Sequence, residues 1–136
     1  MTVNRSGRGR YAGRQEALSR RPETGRRGEE AAARYLAARG MRILHRNWRC
    51  RLGELDIVAE DGGTLVFVEV RTRRAAGRYG TAAESVDARK LRRIAAAAQV
   101  YLASAGKPSA AVRFDVAACT LHPDDSLTIE HLQGVM

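Results

Sequence analysis

The spacing of apolar residues along the chain predicts two helices and five strands. Ala-rich segments with an apolar residue every three or four positions are typical of helices that bury one face, and residues 25–40 and 86–104 follow that pattern. Shorter stretches rich in β-branched residues and bounded by turn residues are typical of strands. The predicted strands span residues 41–48, 54–60, 65–71, 110–118 and 126–132. The order α-β-β-β-α-β-β predicts an α/β domain with a mixed central sheet flanked by helices.

One charged residue interrupts the most apolar of these strands. Glu69 lies in the run that begins at Leu65 and ends at Val70, and a carboxylate is rarely buried without a partner. A buried carboxylate with no partner would be strongly destabilising or would take up a proton. We therefore expect a neutralising group opposite Glu69.

The turn before this strand sets its expected pairing. Gly62 and Gly63 form a strong hairpin signal, and pairing outward from them places Asp56 opposite Glu69. Side chains directly opposite each other have Cβ atoms about 4.5–5.5 Å apart, and like charges there repel. Two carboxylates in that position favour a bound divalent cation, because Mg²⁺ binds through one or two carboxylates together with water and substrate phosphates.

The same residues also permit an interpretation without metal. Arg71 lies two residues after Glu69 on the same face of the strand, so an arginine–carboxylate cluster could neutralise the pair. A one-residue slip of the hairpin would separate Asp56 from Glu69 altogether. From spacing alone, the metal and ion-pair interpretations are about equally favoured.

The positive charge of the chain is concentrated at its N-terminus. Of the formal net charge of +9, residues 1–27 contribute +6, from eight arginines against two glutamates. This segment is poor in large apolar residues, which is typical of disorder. We therefore interpret residues 1–24 as a disordered basic arm able to bind polyanions, and residues 25–136 as one folded domain.

Several function classes are disfavoured. No secretion signal follows Arg20 and Arg21, and no apolar run approaches the roughly 20 residues that span a bilayer. The two cysteines and three histidines show no zinc-binding spacing. We expect a cytoplasmic protein with free thiols and no membrane partner, although spacing does not exclude a disulfide.

Two neighbouring segments resemble a known superfamily. "GELDIVAED" followed by "LVFVEVRTR" resembles the motif of the PD-(D/E)XK nucleases, in which an Asp on one strand and a Glu-x-Lys on the next bind metal. Together with "GEEAAARYLAARG", "ILHRNWR", "SVDARKLRRIAAAAQVYL" and "VRFDV", they resemble the YraN-like family of small bacterial proteins over about residues 25–118. This resemblance implies a restriction-endonuclease-like αβββαβ core.

The resemblance also implies roles for individual residues. It makes Asp56 and Glu69 ligands of Mg²⁺ or Mn²⁺, with the carbonyl of Val70 as a candidate third ligand. Glu29 matches the family's "GE" and resembles the helical acid that supports metal or water in related nucleases. The alternative for Glu29 is an exposed acid in the first turn, stabilised by the helix dipole.

Arg71 departs from the motif, whose last position is usually lysine. Arginine stays protonated and cannot act as a general base, but it can hold a water or stabilise charge that develops on the phosphate. The candidate catalytic set is therefore Glu29, Asp56, Glu69 and Arg71, in either a working nuclease or a binding protein with a vestigial site. Glu54 matches the leading acid of its strand and is expected to pair with Arg71.

Basic residues dominate the segment that follows the carboxylate pair. A flexible loop beginning at Arg71 could follow a phosphate backbone; the alternative is a solvated helix face. Aromatic residues make up only 5% of the chain, which disfavours base-stacking platforms and favours structure-directed or non-specific binding. The candidate nucleic-acid-binding residues are Arg73, Arg74, Arg78, Lys90 and Arg93.

These observations predict a nucleic-acid-binding protein that hydrolyses phosphodiester bonds with Mg²⁺. The expected partner is nucleic acid, with DNA before RNA, although no residue decides between them. The alternatives are a non-catalytic nucleic-acid-binding module on the same fold and a protein-interaction domain.

Overall fold

The computed structural model describes residues 22–75 and 87–136. They form two helices and five strands, in the order that the sequence predicts. The elements are α1 (Glu23–Ala38), β1 (Arg42–Cys50), β2 (Gly53–Asp61), β3 (Thr64–Arg74), α2 (Ala88–Ser104), β4 (Val112–Leu121) and β5 (Leu127–Leu132).

The five strands form one mixed sheet in the order β1-β2-β3-β4-β5. β3 and β4 are parallel, and every other neighbouring pair is antiparallel. The central parallel pair requires a crossover connection, which contains α2. This architecture confirms the predicted α/β class with a restriction-endonuclease-like core.

The helices cover opposite faces of the sheet, because alternate residues of each strand point to opposite sides. Ala32 and Leu36 of α1 pack on Ile57, Val66 and Val68. On the other face, the apolar stripe of α2 packs on the strands. That stripe and its partners include Ile94, Ala98, Leu102, Leu55, Val58 and Phe67. Among the described residues, no helix is long and apolar enough to cross a membrane.

The β2–β3 hairpin has the predicted register from its turn to the pair of Ile57 with Val68. Gly62 and Gly63 both have positive φ, 56° and 93°, as a tight hairpin turn requires. The ladder then runs as predicted to the pair of Ile57 with Val68 and ends there. The next predicted pair, Asp56 with Glu69, is not a ladder pair, so this part of the prediction is wrong.

Two predicted boundaries also differ from the structure. α1 begins at Glu23, two residues inside the predicted arm, and residues 1–21 lie outside the described residues. β3 continues to Arg74, where a loop was expected after residue 71, because Arg71 through Arg74 pair in parallel with β4. The extended strand places Arg73 and Arg74 on opposite faces of the sheet.

A close contact sets the position of α1 on the sheet. A Cβ added to Gly28 would lie 1.9 Å from Oγ1 of Thr72 on β3. The carbonyl of Gly28 also accepts a hydrogen bond from the buried Sγ of Cys119, at 3.6 Å. Only glycine permits this approach, and the next residue in the helix is Glu29.

We expect Gly28→Ala to destabilise the protein. Overpacking costs about 1–3 kcal/mol, which outweighs the roughly 1 kcal/mol that alanine gains over glycine in a helix. Gly25→Ala is the matched control in the same helix, because no atom lies within 4 Å of its added Cβ. Urea unfolding should show a loss for Gly28→Ala only; equal stability of the two variants would contradict the close contact.

Candidate metal and nucleic-acid site

A cleft of about 470 Å³ opens where α2 crosses the ends of β1, β2 and β3. Three carboxylates and three cationic side chains line it, together with Cys50, Gly53 and Ile94. The carboxylates are Glu54, Asp56 and Glu69, and the cationic residues are Arg49, Lys90 and Arg93. The two acids singled out by the sequence motif therefore meet in one cavity.

Asp56 lies where the β2–β3 ladder ends. Its Oδ2 accepts a hydrogen bond of 2.8 Å from the backbone N–H of Val70, so a carboxylate replaces the carbonyl that a continued ladder would supply. Burial raises the pKa of Asp56 well above its ordinary value, and the charge of Glu69 raises it further. The Val70 hydrogen bond lowers that pKa but does not compensate, while the charge of Glu29 and a carboxyl–carboxyl hydrogen bond to Glu69 add to the increase.

Glu69 is buried, with only 4% of its surface exposed, and it faces α2. Its Oε2 lies 3.3 Å from Nζ of Lys90 and 3.6 Å from a terminal guanidinium nitrogen of Arg71. The predicted ion-pair alternative therefore applies to Glu69, which Lys90 and Arg71 neutralise. It does not account for Asp56, whose pKa stays raised in the presence of both cations.

The donor set fits a hard divalent cation with two protein carboxylates. Mg²⁺ keeps several waters and accepts one or two carboxylates plus phosphate oxygens, and Asp56 and Glu69 supply that number. The N–H and C=O of one strand residue point the same way, so the carbonyl of Val70 also faces β2. Within residues 22–75 and 87–136, no group of three or more His, Cys, Asp or Glu side chains is placed to hold a metal. An ion here would therefore depend on water and substrate for its remaining ligands.

Glu29 is a buried residue, which contradicts the alternative of an exposed first-turn acid. It is 6% exposed and is the seventh residue of α1. Its charge raises the pKa of Asp56, so it acts on the carboxylate pair electrostatically. It lines a separate groove of about 700 Å³ on the α1 face with Arg46 and Asn47.

Asn47 is a buried residue of this neighbouring groove that sequence reasoning missed. It is 3% exposed, has a φ of 56°, and lies where the β1–β2 ladder skips the position opposite Asp56. Its buried Oδ1 has no hydrogen-bond partner among the described residues. Asn is one of the few residues that tolerate a left-handed backbone, but nothing local marked this Asn among the others.

The predicted nucleic-acid-binding residues do not share one surface. Lys90 and Arg93 line the cleft, and Arg73 lies on the same strand face as Glu69 and Arg71 by alternation. Arg74 points to the α1 side, where it donates a hydrogen bond of 3.1 Å to Oγ1 of Thr24. Arg78 lies outside the described residues.

Two further predictions can be compared with the structure. Glu54 lies 3.6 Å from Arg49, and Arg71 lies 3.6 Å from Glu69; the expected Glu54–Arg71 bridge stays a prediction. Both cysteines are free, as predicted. Burial raises the pKa of the Cys119 thiol to about 11, which excludes a reactive thiolate at neutral pH.

The chain matches a family model and closely similar bacterial proteins. Residues 28–119 match the model described as "Uncharacterised protein family UPF0102". A UPF0102 protein from Frankia alni is 48% identical over 118 residues, which are 87% of this chain and 98% of that protein. One from Symbiobacterium thermophilum is 50% identical over 117 residues, or 86% and 97% of the two chains. One from Methylococcus capsulatus is 53% identical over 100 residues, or 74% and 80%.

The family match includes α1 from Gly28, the β2–β3 hairpin with its two acids, and α2. It therefore contains every described element that forms the cleft. The chain belongs to the UPF0102 (YraN-like) family, within the PD-(D/E)XK nuclease superfamily.

Proposed function

We propose that this protein is a metal-dependent nuclease that hydrolyses phosphodiester bonds in the α2–β3 cleft. The observation that carries the proposal is the meeting of Asp56 and Glu69 in one cleft, where burial first and the charge of Glu69 second raise the pKa of Asp56. A fold does not keep two acids in such contact for stability, and perturbed carboxylates in a cleft are typical of functional sites.

Four residues in and beside the cleft have roles in this proposal. A bound Mg²⁺ or Mn²⁺ would activate water and neutralise charge on the scissile phosphate. Asp56 and Glu69 would hold the ion, with the Val70 carbonyl as the third protein ligand. The Val70 N–H orients the Asp56 carboxylate, and Arg71 lies beside Glu69 to contact the reacting phosphate.

The charge of the cleft favours a polyanionic substrate once the carboxylates are occupied. Three cationic and three acidic side chains line the cleft, so a divalent ion makes its total charge positive. Arg93 in the cleft and Arg73, on the same strand face as Glu69, can contact phosphates on either side of the cleavage point. Contacts of this kind bind the backbone of a nucleic acid without reading its bases.

A non-catalytic binding module is the second candidate, and a specific observation favours it. Arg71 occupies the position of the motif lysine, and both Arg71 and Lys90 already contact Glu69. A protein that uses these cations only to balance a buried carboxylate would bind nucleic acid without cutting it.

The deciding experiment measures binding and cleavage separately. The full chain should bind duplex or branched DNA in EDTA, and should cut it when Mg²⁺ or Mn²⁺ is added. Glu69→Gln should bind but not cut, which excludes a contaminating nuclease. Binding without cleavage on duplex, branched and single-stranded DNA and RNA would favour the binding module, and no binding at all would favour a protein-interaction domain.

A further inference from the structure

Lys90 reaches the carboxylate pair from the opposite wall of the cleft. It lies in the first turn of α2, where its backbone N–H donates a hydrogen bond of 2.9 Å to the side chain of Asp87, the N-cap. This cap fixes the start of the helix and therefore the origin of the lysine side chain. Its Nζ then lies 3.3 Å from Oε2 of Glu69.

Two cations thus approach one oxygen of Glu69, and Lys90 is the nearer. Arg71 lies at 3.6 Å and carries a broad guanidinium fork, whereas Lys90 presents a compact ammonium with three donors. The Lys90 side chain is 42% exposed and the Glu69 side chain 5% exposed. The ammonium consequently stands between the buried carboxylate and the open cleft, where a substrate phosphate would enter.

We infer that Lys90 is the catalytic cation of this site and supplies from α2 the ammonium that β3 lacks. The inference rests on the proposed hydrolysis. In that step the oxygen of a water bonds to phosphorus, and the bond from phosphorus to the leaving oxygen breaks with its electron pair on that oxygen. The water loses a proton to solvent and the leaving oxygen gains one from solvent. Lys90 transfers no proton in this step; its ammonium donates a hydrogen bond to a non-bridging phosphate oxygen as negative charge grows there.

The first test is steady-state cleavage of duplex DNA with Mn²⁺ by the full chain and its variants. Lys90→Ala should lower kcat by about 10²–10³-fold, as the loss of one donor to a developing oxyanion does, with little change in KM. Arg92→Ala is the matched control, because Arg92 is an exposed cation of the same helix that does not line the cleft. It should cut like the wild type.

Two rescue experiments separate a chemical role from a structural one. Methylammonium added to Lys90→Ala should restore part of kcat, because it supplies the missing ammonium. Adding Arg71→Lys to Lys90→Ala should also restore activity, by placing an ammonium on β3 beside Glu69. A residue that only holds the fold together would respond to neither. If Lys90→Ala fails to fold, Lys90→Gln replaces it in these experiments, and circular dichroism confirms that this variant is folded.

Mn²⁺ affinity gives a readout that does not require turnover. Lys90 lies 3.3 Å from a carboxylate that would also hold the ion. Two positive charges that share one carboxylate would repel even through partial screening, so Lys90→Ala should bind Mn²⁺ at least about threefold more tightly than the wild type in calorimetry.

The outcomes distinguish this inference from the proposed function. Wild-type cleavage that Glu69→Gln abolishes and Lys90→Ala leaves intact would overturn the role of Lys90 and keep the nuclease. Unchanged Mn²⁺ affinity in Lys90→Ala would also overturn it, since the ammonium would then lie away from the ion. A wild-type protein that cuts no substrate would overturn the nuclease, and the role of Lys90 with it.

Discussion

Replacing Asp56 with asparagine should abolish divalent-cation binding and metal-dependent cleavage while making the metal-free protein more stable. Asparagine keeps an oxygen that can accept the Val70 N–H, at 2.8 Å in the structure. It removes a negative charge that is unfavourable, because burial and the charges of Glu69 and Glu29 raise the pKa of Asp56. Cleavage should fall by at least about 10²-fold, as expected when a group essential to the reacting centre is lost.

The raised pKa of Asp56 also predicts how stability changes with pH. A carboxyl group whose folded-state pKa is raised stabilises the protein below its unfolded pKa, and this stabilisation is lost as pH rises through the folded pKa. In EDTA, the wild type should therefore gain stability as the pH falls from neutral toward about 4, the ordinary pKa of Asp. Asp56→Asn should lack that gain.

Thermal melts in EDTA measure the stability of the metal-free Asp56→Asn protein, and melts with Mn²⁺ measure whether it still binds the ion. Glu60→Gln is a control on the same strand, because Glu60 pairs with the exposed Arg42 at 2.6 Å and lies away from the cleft. It should respond to Mn²⁺ as the wild type does. A loss of about 1–3 kcal/mol in the metal-free Asp56→Asn protein, typical of a broken charged hydrogen bond, would count against the metal site.

The largest loss of stability is expected for Asp115→Ala. The Asp115 side chain is fully buried and accepts hydrogen bonds from Arg113, from Nε2 of His131 at 2.8 Å and from the backbone N–H of Gly134 at 3.0 Å. These contacts join β4 to β5 and to the residues that follow it. Arg113 keeps its contact with Asp61 at 3.2 Å, but removing the carboxylate leaves Nε2 of the buried His131 ring and the backbone N–H of Gly134 without their acceptor. Each buried group left unsatisfied in this way costs about 1–3 kcal/mol.

Asp115 should also give a pH dependence opposite to that of Asp56. Burial by itself would raise the pKa of Asp115, but the hydrogen bonds from Arg113, Gly134 and His131 and the charge of Arg113 lower it overall. A lowered folded-state pKa stabilises the protein above the unfolded pKa, and this is lost as pH falls through the folded pKa. The wild type should therefore weaken below about pH 4, and Asp115→Ala should weaken less steeply there.

Urea unfolding of Asp115→Ala tests this cluster. Glu130→Ala is the matched control, since Glu130 is an exposed acid of β5 and should change stability by less than about 1 kcal/mol. If both variants unfolded at the same urea concentration as the wild type, the buried cluster would not hold the C-terminal strand.

Local patterns in the sequence determined the elements and most of the hairpin. Apolar spacing marked both helices, and two glycines that adopt positive φ determined the register of β2 on β3 as far as Ile57 and Val68. Such features depend on residues a few positions apart, so the chain specifies them without knowledge of the fold. The same register predicted that Asp56 and Glu69 lie close together, and both line the cleft although they are not a ladder pair.

Only the tertiary structure decided which groups face that pair. Lys90 meets Glu69 because the crossover between β3 and β4 places the start of α2 over the cleft, and apolar spacing does not encode where a helix begins above a sheet. Glu29 is buried because Gly28 lets α1 approach Thr72. The buried Asn47 lies at a gap in the β1–β2 ladder, between the pairs of Arg46 with Ile57 and of Trp48 with Leu55. Each of these contacts joins residues from different elements, and their geometry exists only once the helices have packed on the completed sheet.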